Sequence, residues 1–248
     1  MDAVWGLLVL AGLWAGVQNA LAGGGSFVTL PTLILSGLDA RAANITSTVA
    51  LFPGQVTTGL AGRKLVSGAE GLSFRVLFVI SLIGGVLGAL LLLATPASFF
   101  GRLVPWLVLF ATAAFAWGSF FRRASDASAS LGPIPAAGLQ FLIAIYGGYF
   151  GGGIGFLMLA ALTAVGLPVR TAASTKNVLA AVMNASAVAI FVFSRDVAWL
   201  KAFVLGAGAI VGGQVGAWML RFVNEQALRI GVVILGLALT IGLFLHPS

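Results

Sequence analysis

Residues 23–49 read GGGSFVTLPTLILSGLDARAANITSTV, and residues 152–178 read GGIGFLMLAALTAVGLPVRTAASTKNV. At a constant offset of 129 residues, with no gap, the two stretches agree at eleven positions: Gly23/Gly152, Gly24/Gly153, Phe27/Phe156, Leu30/Leu159, Leu33/Leu162, Gly37/Gly166, Leu38/Leu167, Arg41/Arg170, Ala43/Ala172, Thr46/Thr175 and Val49/Val178. Each copy runs from a glycine turn through a short apolar segment to a Gly-Leu turn. A basic residue and a hydroxyl cluster follow. Glycine-interrupted apolar segments in corresponding positions of two hydrophobic halves are the sequence mark of a secondary transporter's binding site.

Outward from this repeat the chain is apolar almost throughout. It is 60% hydrophobic and 8% charged, with a mean hydropathy of +1.12. A soluble domain carries about 25% charged residues. The apolar runs are long and continuous and do not alternate, so the spans are helices and not barrel strands. Runs of about 20 residues lie near 3–22, 42–62, 73–94, 99–121, 133–150, 171–193, 198–220 and 226–245. Shorter segments lie near 26–36 and 154–165 and reach about half of a ~30 Å hydrocarbon core. The expected fold is therefore an all-α polytopic membrane protein, with about eight long transmembrane helices and two broken or re-entrant segments. Residues 1–121 form a first transmembrane repeat, 122–132 a polar linker and 133–248 a second repeat. The N-terminal MDAVWGLLVL has no basic residue before its apolar run, so it reads as a retained span and not a cleaved signal.

Gly84, Gly85, Gly88 and Ala89 recur as Gly212, Gly213, Gly216 and Ala217. Small residues at this spacing are expected at close helix–helix contacts. If the short segments cross the membrane, each half has five passes and the halves are inverted. Arg63, Lys64, Arg75, Arg122, Arg123, Arg170, Arg221 and Arg229 then fall on one face, and Arg41, Arg102, Arg195 and Lys201 on the other. If the segments are re-entrant, the halves are parallel and the division is seven against five. The positive-inside rule favours inversion, and the parallel alternative stays open.

The net charge of +7 comes from 13 Lys/Arg against 6 Asp/Glu. Positive-inside loops account for most of it, and no nucleic-acid partner is expected. All six carboxylates fall in predicted termini or loops, so a membrane-buried proton relay is missing. With no cysteine and a single, near-terminal histidine, His246, no metal site and no cofactor are expected. An intramembrane enzyme would have only Ser or Thr with Lys176 to work with, and no nucleophile motif surrounds them.

The remaining candidates are backbone N–H groups at glycine turns and neutral polar side chains. Gly23, Gly24, Gly25, Gly152 and Gly153 are expected to present N–H groups at helix N-termini, where partial positive charge favours an anion. Asn44, Thr46 and Ser47 in the first copy, with Thr175, Lys176 and Asn177 in the second, complete the expected substrate site. Gln18, Arg41, Gln55, Tyr149, Arg170 and Asn184 are candidates for its access path. Lys176 aligns with Ser47 and lies well inside an apolar helix with no acidic neighbour in sequence. An ammonium there needs a partner, and a bound anion can be one.

The duplicated glycine turn, the Gly-Leu turn followed by a basic residue, and the elements Ala43–Ser47 (Ala-x-x-Thr-Ser) and Ala172–Lys176 (Ala-x-x-Thr-Lys) resemble the TauE/SafE family of sulfite exporters and related anion permeases. The resemblance extends over both halves. It implies an inner-membrane permease for a small anion such as sulfite, thiosulfate or an organosulfonate, seated in the lipid bilayer, with no enzyme activity. An anion channel is the first alternative. A membrane sensor would need a further soluble surface, and a cation transporter would need acidic ligands.

Overall fold

The computed structural model describes residues 2–21, 23–69, 71–117, 120, 132–165, 167–219 and 225–245. The linker 122–132, apart from Gly132, lies outside them, as do Glu70, Gly166, Arg221 and His246. The described chain is helical, with one isolated bridge between Ala69 and Leu72. Its helices are α1 (Asp2–Leu21), α2 (Ser26–Leu35), α3 (Ala40–Gly62), α4 (Phe74–Ala94), α5 (Ala97–Ala116), α6 (Pro133–Tyr149), α7 (Ile154–Ala164), α8 (Val169–Phe191), α9 (Trp199–Met219) and α10 (Glu225–Leu245). A single 3-10 turn, Arg63–Leu65, follows α3. The two short segments expected from sequence are α2 and α7. Windows in α1, α4, α5 and α9 are long and apolar enough to cross a membrane. The other long helices, α3, α6, α8 and α10, fall short of that measure; α3 and α8 carry the polar clusters within otherwise apolar sequence.

Local chemistry sets the element ends. Asp39 caps α3 by accepting from the N–H groups of Arg41 and Ala42 at 2.9 and 3.0 Å. Pro133 opens α6 at a position where a missing N–H costs nothing. The Gly-Leu turn of the first copy is a Schellman cap. Gly37 has φ +96°, its N–H reaches Ile34 O at 2.9 Å, and Leu38 N–H reaches Leu33 O at 3.2 Å. In the second copy Leu167 N–H reaches Leu162 O, also at 3.2 Å. The matched positions 33/162 and 38/167 thus make the same backbone bond in both copies.

The bundle packs α1 on α9, α4 on α6 and α8, α3 on α8 and α9, and α5 on α10. The second set of matched glycines lies in these seams. A Cβ on Gly212 or Gly216 would run into the backbone of Leu13 or Val17 in α1, and one on Gly88 into Ile145 and Tyr149 in α6. The residue pairings increase together, so α1 runs parallel to α9 and α4 parallel to α6. The α3–α8 seam is antiparallel: Thr46 meets the loop after α8, Gln55 meets Asn184, and Gly59 meets Asn177.

Candidate functional site

The chain breaks between α1 and α2 and between α6 and α7 are glycine turns inside the bundle. Gly23 and Gly24 have φ of +89° and +77°, and Gly151 and Gly153 have +73° and +76°. Only glycine adopts such angles without cost. Gly23, Gly24, Gly25, Gly152 and Gly153 are buried. Neighbouring side chains hold the first turn. Gln18 Nε2 donates to Gly24 O at 3.1 Å, and Gly25 N–H donates to Asn19 Oδ1 at 2.7 Å. At the second turn Tyr146 donates from its hydroxyl to Gly152 O at 3.0 Å.

The two turns meet around a cavity of about 40 Å³ lined by Asn19, Gly23, Gly24, Ser26, Gln55, Thr58, Gly151, Ile154, Gly155, Lys176, Asn177 and Ala180. That is more than the ~10–15 Å³ one water needs. Ser26 is the first residue of α2, and Ile154 and Gly155 are the first two of α7. Among the described residues their N–H groups have no partner, so two helix N-termini face one space. Lys176 is 8% exposed. The point where a Gly155 side chain would begin lies 3.6 Å from Lys176 Nζ and 3.8 Å from Gly23 Cα. The ammonium has no ion pair or hydrogen bond among the described residues. Amide and hydroxyl groups of Asn19, Ser26, Gln55, Thr58 and Asn177 complete the wall. The cavity thus presents N–H groups, neutral polar side chains and one cation, with no carboxylate.

Of the residues expected from sequence, Gly23, Gly24, Gln55, Lys176 and Asn177 line this cavity. Gly25 and Gly153 support the turns behind it. Ser47 is buried and shares a hydrogen bond with Thr29 at 2.5 Å. Thr46 and Thr175 lie outside the lining and do matched structural work. Thr46 Oγ1 accepts from Ala198 N–H at 3.1 Å, and Thr175 Oγ1 accepts from Ser67 N–H at 3.0 Å. Each hydroxyl therefore ties the start of a long helix to a loop of the opposite half.

Asn44 Nδ2 donates to Tyr149 O at 3.1 Å, and Asn184 Nδ2 donates to Gln55 Oε1 at 2.6 Å. Tyr149 donates its hydroxyl to Thr95 Oγ1 at 3.4 Å. Arg41 is an end-of-bundle residue. It pairs with Asp196 at 3.0 Å and donates to Thr95 O at 2.8 Å. The Arg170 side chain lies outside the described residues. Asn19 and Ser26, polar groups of the first copy, and Gly151, in the second glycine turn, line the cavity although the expected site left them out, and Thr58 and Gly155 line it without having been singled out. Asn19 and Ser26 flank the first glycine turn, which was their available signal. Thr58 had none, because its role follows from the α3–α8 crossing.

Among the described residues the chain is helical, with four helices long and apolar enough to cross a bilayer and a polar cavity at its broken segments, the architecture of an integral membrane protein. The chain belongs to the Sulfite exporter TauE/SafE family, whose profile matches residues 8–243. It is 28% identical to a probable membrane transporter protein of Haemophilus influenzae, over 94% of this chain and 92% of that one. It is 29% identical to the probable membrane transporter protein ORF9 of Sinorhizobium sp, over 97% and 92%. Against the probable membrane transporter protein YfcA of Escherichia coli K12 the identity is 24%, over 92% and 85%. Family and relatives are consistent with a bacterial inner membrane.

Proposed function

We propose that the protein is a secondary transporter for a small anion, and that the anion is a sulfur oxyanion such as sulfite or thiosulfate, or an organosulfonate. The observation that carries this reading is Lys176, an ammonium without a partner among the described residues, beside two helix N-termini in a cavity whose lining holds no carboxylate. A cation there would meet the Lys176 ammonium and two helix N-termini, with no carboxylate in the lining to offset them. An oxyanion would gain the ammonium, the N–H groups of Ser26, Ile154 and Gly155, and the amides of Asn19 and Asn177. Thr46, Ser47 and Thr175, whose hydroxyls already have protein partners, serve by holding the helices that carry the site.

The two halves, 1–121 and 133–248, act as inverted repeats rocking around this site. The antiparallel α3–α8 seam supports inversion, because parallel halves would run these helices the same way. The helix pairings support it too: exchanging α1–α5 with α6–α10 turns the α1–α9 contact into α6–α4 and the α3–α9 contact into α8–α4. Burial of the polar groups on one side of the cavity favours a gated carrier over an open channel. The test is a set of flux measurements in proteoliposomes with sulfite, thiosulfate, sulfate and an organosulfonate, on the parent and on Lys176→Gln. Saturable flux of at least one of these anions, lost in the variant, is the expected result. Equal flux in both would defeat the charge-centred site.

A further inference from the structure

Polar groups continue from the cavity along the α3–α8 seam. Gln55 lines the cavity and holds Asn184. Asn184 is 2% exposed, and its Oδ1 has no partner among the described residues. That atom and Thr48 Oγ1 lie 4.0 and 3.7 Å from the point where a side chain on Gly151 would begin. Thr48 donates to Asn44 O at 3.0 Å, and Asn44 reaches the carbonyl of Tyr149. The Tyr149 hydroxyl reaches Thr95, whose carbonyl accepts from Arg41, which pairs with Asp196. From Gln55 to Arg41 is about 21 Å along α3, at ~1.5 Å per residue.

The two ends of this line differ. Asn19, Ser26, Gln55, Thr58 and Asn177 at the cavity are half-buried, whereas Asn44, Thr46, Ser47 and Thr48 beyond it are buried. The far end is also the more heavily tied. Besides the Arg41–Asp196 pair, Thr46 holds the loop carrying Asp196, and Lys201 Nζ donates to Ser36 O at 2.6 Å. Most groups of this line bond to one another, but beside the cavity the Asn184 amide oxygen is left without a partner among the described residues, which packing alone does not explain.

We infer that the line from Gln55 and Asn184 through Thr48 and Asn44 to Thr95 is the second half of the substrate's route, and that the Arg41–Asp196 pair is the gate that closes its far end. The inference rests on the transporter reading. Opening requires Arg41 to release a carboxylate. A departing oxyanion can take that place on the planar guanidinium, so the gate exchanges one anionic partner for another. Asp196, a loop carboxylate to the sequence, is then a positioning residue.

The chain contains no cysteine, so single cysteines report cleanly. Thr58→Cys is treated with a charged, membrane-impermeant methanethiosulfonate in right-side-out and inverted vesicles. Modification from the face opposite Arg41 only is expected. Adding Asp196→Asn should raise the rate from the Arg41 face at least ten-fold. Adding Asp39→Asn, which removes a nearby carboxylate outside the pair, should not. Arg41→Gln breaks the same pair and gives a second reading if Asp196→Asn does not insert. The exchange Arg41→Asp with Asp196→Arg should restore one-sided labelling. Equal labelling from both faces in the parent, or one-sided labelling that survives both single variants, overturns the gate. Labelling needs no substrate, so this result stands or falls apart from the identity of the anion.

Discussion

At the residue scale, what each polar group already holds decides what it can offer a ligand. Lys176 has no ion pair or hydrogen bond among the described residues, which leaves its charge to a ligand. Lys176→Gln keeps hydrogen-bonding capacity and removes the charge. The expected loss is about 2–3 kcal/mol, the range for hydrogen bonds to charged groups, or ~30–150-fold in affinity. Lys176→Arg should also weaken binding, because the guanidinium is larger and planar. Titration of sulfite or thiosulfate onto purified protein measures both. Thr46 and Thr175 give the opposite expectation. Their hydroxyls hold loops, so Thr46→Ala and Thr175→Ala should each lower stability by about 1 kcal/mol and leave the affinity of the Lys176 cavity within about two-fold. A twenty-fold affinity loss in either, with unchanged thermal stability, would place the hydroxyl on the ligand after all.

At the element scale, helix contacts in a bilayer depend on close approach, because lipid tails are as apolar as leucine and burial alone does not drive association. The glycines of α4 and α9 let α6 and α1 approach. Gly212→Leu and Gly88→Leu put a side chain into the backbone of the neighbouring helix, so the helices must separate. Both variants should show a marked fall in the detergent unfolding temperature, or fail to insert. Gly138 in α6 is the control. It is exposed, with nothing within 4 Å of an added Cβ. Gly138→Ala should be neutral or stabilising by up to ~1 kcal/mol through helix propensity. Equal losses at Gly138 and Gly212 would mean that the α1–α9 seam is looser than the approach of Gly212 to Leu13 requires.

At the scale of the whole molecule, inverted halves assign every loop to a face. Arg102 and Arg195 then share one face of the membrane, and Arg75 lies on the other. Parallel halves would put Arg102 and Arg195 on opposite faces. Arg75→Cys, Arg102→Cys and Arg195→Cys, labelled with an impermeant reagent in oriented vesicles, decide between the two. Labelling of positions 102 and 195 from the same face, opposite to 75, is expected; labelling of 102 and 195 from opposite faces would return the parallel arrangement. Under inversion the sequence assigns eight basic residues to the Arg75 face and four to the other, so the positive-inside rule predicts that labelling at position 75 comes from the cytoplasmic side.

Hydropathy and glycine placement were enough to read the helical membrane class, the two short segments and the turns between them, because these are local properties of the chain. A run of apolar residues must become a helix in lipid wherever it ends up, and Gly37 or Gly151 needs its positive φ whatever surrounds it. Lys176 was legible for a similar reason: a cation in an apolar helix stands out before any contact is known. Which hydroxyls reach the cavity was not legible. Thr46 and Thr175 match in sequence and in role, yet that role is to tie loops across the halves, and only the crossing of α3 and α8 decides which way each faces. The same crossing brings Thr58 into the wall and sets Arg41 against Asp196, 155 residues away in the chain. In a soluble helix an apolar stripe would have marked the inner face. Here large apolar side chains lie on both the outer and the inner surfaces, so orientation came from glycine contacts and polar pairing, and those exist only in the assembled bundle.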